Sequence, residues 1–165
     1  LDKRELTGVI AHEMSHIANY DIRVSMIVFG LVSAIGLISD ILLRTAFGAG
    51  RSDDDDSGSP YIYIVMIIVA ILSPIIAAMI QLAVSRQREY LADSSAALLT
   101  RDPEGLIMAL QKLDRSARPL QRQNTATAHM YIVNPLKKGL LNRLFSTHPS
   151  INDRIARLKK IGGQM

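Results

Sequence analysis

At 165 residues with 48% hydrophobic side chains, the chain is long enough for one domain with a real core, and its lack of cysteine removes disulfides and thiolate metal sites together. Any transition metal must therefore be held by histidine and carboxylate. A net charge of +4 with only 5% aromatic residues leaves little on which to stack bases, so no nucleic-acid partner is expected.

Lys3, Arg4 and Glu5 interrupt any apolar run at the front, so no signal-peptide pattern is read there. The chain opens on Leu1 and its first motif follows eleven residues in, as expected of a piece whose upstream elements are absent. That motif, His12-Glu13-Met14-Ser15-His16, is predicted to lie on a helix with Leu6, Val9, Ile10, Ile17 and Tyr20 as its apolar positions. Gly8 permits close packing. Residues four apart share a helix face, so His12 and His16 can aim their imidazoles at one point. Glu13, beside the first of them, can reach a water on that metal without ligating it. Zinc brings such a water to a pKa of about 7, and a carboxylate can then take its proton as it attacks a carbonyl. The alternative is an amphipathic helix that carries a solvated or core-packed histidine pair.

Two apolar runs follow. Residues 24–43 hold a single charge, Asp40, and residues 61–84 hold none. A bilayer core needs about twenty apolar residues as helix, and buried soluble helices are usually shorter. With the charged, Gly- and Ser-rich loop 45–60 between them, the runs read as a transmembrane hairpin, against the alternative of a hairpin buried in a soluble domain. Pro74 is expected to kink the second helix. Asp40 and Arg44, one turn apart, are expected to pair or to snorkel to the interface. Arg23, Arg86 and Arg88 flank one side of the hairpin. Arg44 and Arg51 flank the other, beside Asp53 to Asp56. The balance leans toward a cytoplasmic motif side.

Beyond Val84 the pattern is that of soluble helices. Residues 86–100 are periodic and Ala-rich. Asp102-Pro103-Glu104 supplies an N-cap, a proline at the first helical position and an acidic first turn. The helix it opens, 104 to about 117, is expected to bury Leu106, Ile107, Leu110 and Leu113. Residues 115–128 read as a loop, and Met130 to Val133 as a short β-prone run stopped by Asn134-Pro135. Thr147-His148-Pro149-Ser150 then precedes a terminal helix with Ile151, Ile155, Leu158 and Ile161 on one side.

A catalytic zinc takes three protein ligands and keeps one open position. The candidates for the third are His129, His148 and the carboxylates. Glu89, in Ser85-Arg86-Gln87-Arg88-Glu89-Tyr90-Leu91-Ala92-Asp93, directly follows the second apolar run as the histidine motif directly precedes the first. An antiparallel hairpin brings its ends together, which returns Glu89 to the neighbourhood of His12 and His16. Asp93, one turn on, can orient a ligand histidine. The alternative for Glu89 is a surface carboxylate among Arg86 and Arg88.

Taken in order, the His12 to His16 motif, the apolar hairpin, Ser85 to Asp93 and Thr147-His148-Pro149 resemble the HtpX family of membrane zinc metalloproteases, related to the CAAX prenyl endopeptidases. The likeness covers nearly the whole chain from Leu6. It implies a mainly α fold: zincin-like helices with an inserted two-helix transmembrane hairpin and little or no sheet. The parts would be a zinc-motif helix (1–23), the hairpin (24–84) and a helical remainder of the protease domain (85–165). The resemblance also implies one zinc per chain on His12, His16 and Glu89, with Glu13 as general base and Asp93 behind a ligand histidine. It implies a multi-pass cell-membrane endopeptidase of the gluzincin class whose substrates are damaged or misassembled membrane proteins and whose partner is the bilayer. The family usually carries two further membrane helices and a small sheet before the zinc helix, which this chain lacks.

Peptide hydrolysis places negative charge on the former carbonyl oxygen, and a second donor there is commonly worth about 3 kcal/mol. The His148-Pro149 pair followed by Arg154 is similar to the family's late motif, in which both side chains face the metal, so both are implied oxyanion stabilisers. The alternative makes His148 a helix-start residue and Arg154 a solvated cation. Two other readings share these residues. One is the prenyl-protein branch, whose larger multi-helix chamber two spans do not suggest. The other is a non-catalytic metal-binding membrane scaffold, against which the intact Glu13 argues.

Overall fold

The computed structural model describes residues 1–49, 60–116 and 148–164. These residues form the helices α1 (Lys3–Ala18), α2 (Asp21–Ala49), α3 (Pro60–Thr100), α4 (Pro103–Ser116) and α5 (Ile151–Gly162), and no strand occurs among them. The mainly α expectation holds. Arg51, the acidic run Asp53 to Asp56, the 117–128 stretch, His129, the β-prone Met130 to Val133 with Asn134-Pro135, and Thr147 lie outside the described residues. The chain divides into two compact units. One is Leu1–Arg23 with Leu82–Met165, and the other is Val24–Gln81.

In the first unit, α1 starts where its sequence can satisfy orphan N–H groups. The Asp2 carboxylate accepts from Glu5 N at 2.8 Å and Glu5 Oε2 accepts from Asp2 N at 2.7 Å, a reciprocal cap. The helix stops at Asn19, followed by Tyr20 in the left-handed region at φ 54. Its buried face is Glu5, Gly8, Ala11, His12 and Ser15. The large apolar residues expected to pack are mostly outside: Leu6, Ile10, Ile17 and Tyr20 are exposed, and only Val9 packs on the core. The reason is the closeness of α4. A Cβ on Gly8 would stand 2.7 Å from Leu106 N, and one on Gly105 would stand 2.9 Å from Arg4 O. Two glycines let the backbones touch, and only small side chains fit beside such a crossing.

Around it, Ala96 and Ala97 of α3, Leu106, Ile107 and Leu110 of α4 and Leu158 of α5 close the core, all at most 2% exposed. Leu113, at the end of the same α4 face, is only half-buried. Asp102 caps α4 by accepting from Gly105 N at 3.4 Å, and Ser150 caps α5 by accepting from Asp153 N at 3.1 Å. Two ion pairs tie α1 to this layer. Arg4 Nε lies 2.5 Å from Asp102 Oδ2, and Lys112 Nζ lies 3.0 Å from Glu5 Oε2.

The second unit is built from the apolar parts of α2 and α3. Both helices are long and apolar enough to cross a membrane, and only 6% and 11% of their most apolar windows are buried. A core helix of a soluble protein would be mostly buried, and these are not buried among the described residues. The few buried positions are small: Ser39, Ala46, Ala70 and Ala77. Asp40 and Arg44 pair, Arg44 Nε to Asp40 Oδ2 at 2.8 Å. The structure shifts three expected boundaries. The loop expected from residue 45 begins later, because α2 continues to Ala49. Helix α2 starts at Asp21. The polar 86–100 segment is not a separate helix, because α3 runs unbroken through Pro74 and past Val84. Forty-one helical residues reach about 60 Å, twice the hydrocarbon thickness of a bilayer, so the polar half of α3 lies beyond any span.

Candidate metal centre

Three helices of the first unit meet at the histidine pair. His12 and His16 come from α1, Glu89 and Asp93 from α3, and Arg154 from α5, with His148 just before α5. One donor atom from each of His12, His16 and Glu89 lies within 4.8 Å of the others. The two Nε2 atoms are 3.2 Å apart. His12 Nε2 is 3.7 Å from Glu89 Oε2, and His16 Nε2 is 3.8 Å from Glu89 Oε1. Nitrogen and oxygen donors at zinc bond lengths stand about 3.3–3.6 Å apart along the edges of a tetrahedron. The residues present therefore fit zinc in donor type, number and spacing.

Behind each imidazole stands a carboxylate. His12 Nδ1 lies 3.0 Å from Asp93 Oδ1, and His16 Nδ1 lies 2.5 Å from Asp21 Oδ2. With each Nδ1 carrying the proton toward a carboxylate, both Nε2 lone pairs face the shared point. Each carboxylate in turn has its arginine. Arg154 donates to Asp93 twice, from Nε at 2.8 Å and from Nη2 at 2.6 Å. Asp21 Oδ1 pairs with Arg88 Nη2, which also donates to Asn19 O at 2.5 Å.

Arg154 is 2% exposed, the largest fully buried side chain described. Its Nη1 lies 3.4 Å from Glu89 Oε2 and its Nη2 lies 3.4 Å from His12 Nε2, so the cation stands beside the donor set. Burial pushes its guanidinium down, but the bonds to Asp93 and the charges of Asp93, Glu89 and Glu13 hold it above its ordinary value. Burial likewise pushes the Glu89 carboxyl up. His148, Arg154 and His12 outweigh that and keep it below the usual carboxylate range. For Asp93, burial is outweighed by Arg154 and His12 with the same result. Both carboxylates are thus ionised and able to accept.

Among the sequence candidates, His12, His16, Glu89, Asp93, His148 and Arg154 come together, with His148 Nδ1 3.2 Å from Glu89 Oε1. Glu13 is exposed on the helix face next to the pair. Asp21 and Arg88 were missed by sequence reasoning. Their only signals were an acid just past the histidine helix and an arginine adjoining Glu89, and neither spacing follows a helical period that would connect them.

The profile of peptidase family M48 matches residues 1–162. The chain is similar to proteins named Protease HtpX homolog. The one from Tropheryma whipplei (strain Twist) is 53% identical over 99% of this chain and 56% of its own length. The one from Dictyoglomus thermophilum is 50% identical over 98% of this chain and 52% of its own length. That from Streptococcus gordonii is 49% identical over 98% and 56%. The chain thus spans about half the length of the curated relatives it matches. No solved structure matches it.

Proposed function

We infer the function of this chain from the premise that it belongs to peptidase family M48: it serves a zinc-dependent endopeptidase that cleaves peptide bonds at a membrane surface. The observation that carries this reading is the donor set itself, His12, His16 and Glu89 within 4.8 Å of one another, with each histidine backed by an anchored carboxylate. His12, His16 and Glu89 would hold one zinc ion. Zinc, when bound, supplies the Lewis acid that acidifies water and polarises the scissile carbonyl.

The chain's own residues do the rest. Glu13, exposed beside His12, takes the proton of the attacking water on its carboxylate and passes it to the leaving nitrogen. His148, at the edge of the donor set, supplies a hydrogen bond to the developing oxyanion. For Arg154 this reading favours a role other than the expected oxyanion contact. Its fork is closed on Asp93 and its third nitrogen stands by Glu89, so in this reading it positions ligands and does not reach substrate. Asp93 fixes the His12 tautomer.

The long exposed apolar segments of α2 and α3 support a multi-pass membrane setting. The flanking Arg23, Arg86 and Arg88 support a cytoplasmic site. The substrates in this reading are damaged or misassembled membrane proteins. Glu13→Gln is the deciding variant. It is expected to keep stoichiometric zinc and to lose hydrolysis by about 10²–10⁴-fold, since the amide preserves size and removes the base. A Gln variant that cleaves at the wild-type rate with its metal bound would overturn the mechanism.

A further inference from the structure

The geometry points to Asp21 as the positioning residue of His16, anchored in that role by Arg88. The proposal rests on the reading of His16 as a metal ligand. A ligating imidazole must present one nitrogen as a lone pair, and a hydrogen bond at the other nitrogen decides which one. For His12 that bond goes to Asp93, which the sequence pattern already suggested. For His16 it goes to Asp21, five residues on, in a different helix.

In an unbroken helix, a residue five positions later points about 140° away and could not return to His16. The break between α1 and α2 removes that obstacle. Asn19 ends α1, Tyr20 takes φ 54, and α2 restarts at Asp21 with its carboxylate turned back onto the imidazole. A left-handed tyrosine is costly, because its Cβ crowds the backbone. Here it sets the aim of Asp21.

Arg88 makes the placement rigid. One guanidinium nitrogen holds both Asp21 Oδ1 and the Asn19 carbonyl, an orphan acceptor at the end of α1. Arg88 is also the residue before Glu89 on α3, so the same side chain links the His16 support to the element that presents the third donor. The site therefore has two parallel supports, Arg154–Asp93–His12 and Arg88–Asp21–His16. The second has the larger opening to water, since His16 is 25% exposed at its side chain and His12 is 7%.

A purely structural role, bracing the joint between α1 and α3, makes a different forecast. The test uses the whole chain in nanodiscs, with zinc affinity measured against a competing chelator and ¹⁵N signals read from the metal-free histidines. Asp21→Ala and the isosteric Asp21→Asn are expected to weaken zinc by about 10–100-fold, the usual cost of removing such a support. In metal-free Asp21→Ala the His16 ring is expected to leave its Nδ1–H tautomer while His12, held by Asp93, keeps it. Arg88→Gln is expected to show the same tautomer change, smaller in size, and Arg88→Lys to restore part of it. Wild-type zinc affinity with an unchanged His16 tautomer in both Asp21 variants would overturn the proposal. Equal disturbance of His12 and His16 would also overturn it, in favour of a structural brace. His16→Ala separates the two levels of inference. If it binds zinc as wild type does, the ligand reading falls and this proposal falls with it. If it loses zinc while the Asp21 variants do not, only the proposal falls.

Discussion

The two units differ in what they do with charge and with large apolar side chains. In Leu1–Arg23 with Leu82–Met165, the deepest side chains include charged and polar ones: Arg154 and Asp93 at 2% exposure, His12 at 6% and Glu89 at 8%. In Val24–Gln81 the large apolar side chains stand outside, Met26, Phe29 and Tyr61 among them, and alanines are buried. Burying charge is costly unless each group is paired and bonded, and exposing such long apolar surface to water is costly whatever its pairing. Each region is therefore explained by a need other than its own stability. The first brings together a candidate donor set whose groups are charged and fixed by their partners. The second has side chains matched to a surrounding that is not water.

The largest expected effect lies in the charged region. Arg154→Met removes the partner of two buried carboxylates and is expected to destabilise the first unit by about 3–5 kcal/mol. Thermal unfolding with and without zinc would measure it, and zinc is expected to recover part of the loss by supplying another positive charge. A loss below about 1 kcal/mol, typical of exposed pairs, would mean that the buried charges do not depend on Arg154.

A second experiment compares one substitution at two places along α3. Leu72 and Leu98 are both well exposed, at 49% and 66%. Leu72→Arg is expected to cost about 2.5–3.5 kcal/mol in a bilayer, and Leu98→Arg, beyond the apolar segment, to stay within about 0.5 kcal/mol. Insertion efficiency into membranes and stability in nanodiscs would report both. Equal costs at the two positions would erase the distinction between the regions.

The smallest effect concerns packing. Gly8→Ala drives a methyl into the backbone of α4 and is expected to cost about 1–3 kcal/mol. Gly30→Ala, with nothing within 4 Å, is expected to be neutral or to stabilise α2 by about 0.5–1 kcal/mol. Matched denaturation curves of the two variants decide it. Should Gly8→Ala prove as harmless as Gly30→Ala, the α1–α4 crossing is looser than described.

How legible these features were depends on how local their cause is. The start of α4 at Asp102-Pro103 and the apolar stripes of α4 and α5 follow from caps and a 3.6-residue period, and the structure has them. The two apolar runs were equally plain. The buried face of α1 was not, because periodicity favours large apolar residues while a glycine crossing selects small ones. The continuity of α3 past Val84 was hidden by a change in composition that alters the surroundings and leaves the helix intact. In the candidate site, His12, His16, Glu89 and Asp93 stood at helical spacings within two short stretches. Asp21 required the backbone turn at Tyr20, which no propensity of tyrosine announces.

The first unit is discontinuous in sequence, with residues 24–81 lying between its two pieces. During synthesis at about 5–20 residues per second, the ribosome makes His16 roughly 4–15 s before Glu89. The two apolar segments are made in that interval. Until α3 has been completed the histidine pair lacks the Glu89 carboxylate, Asp21 lacks Arg88 and His12 lacks Asp93, and Arg154 follows later still, with α5. The order of translation thus delays assembly of the candidate centre until well after the hairpin, and a chain arrested before residue 89 carries the histidine motif without the rest of the cluster.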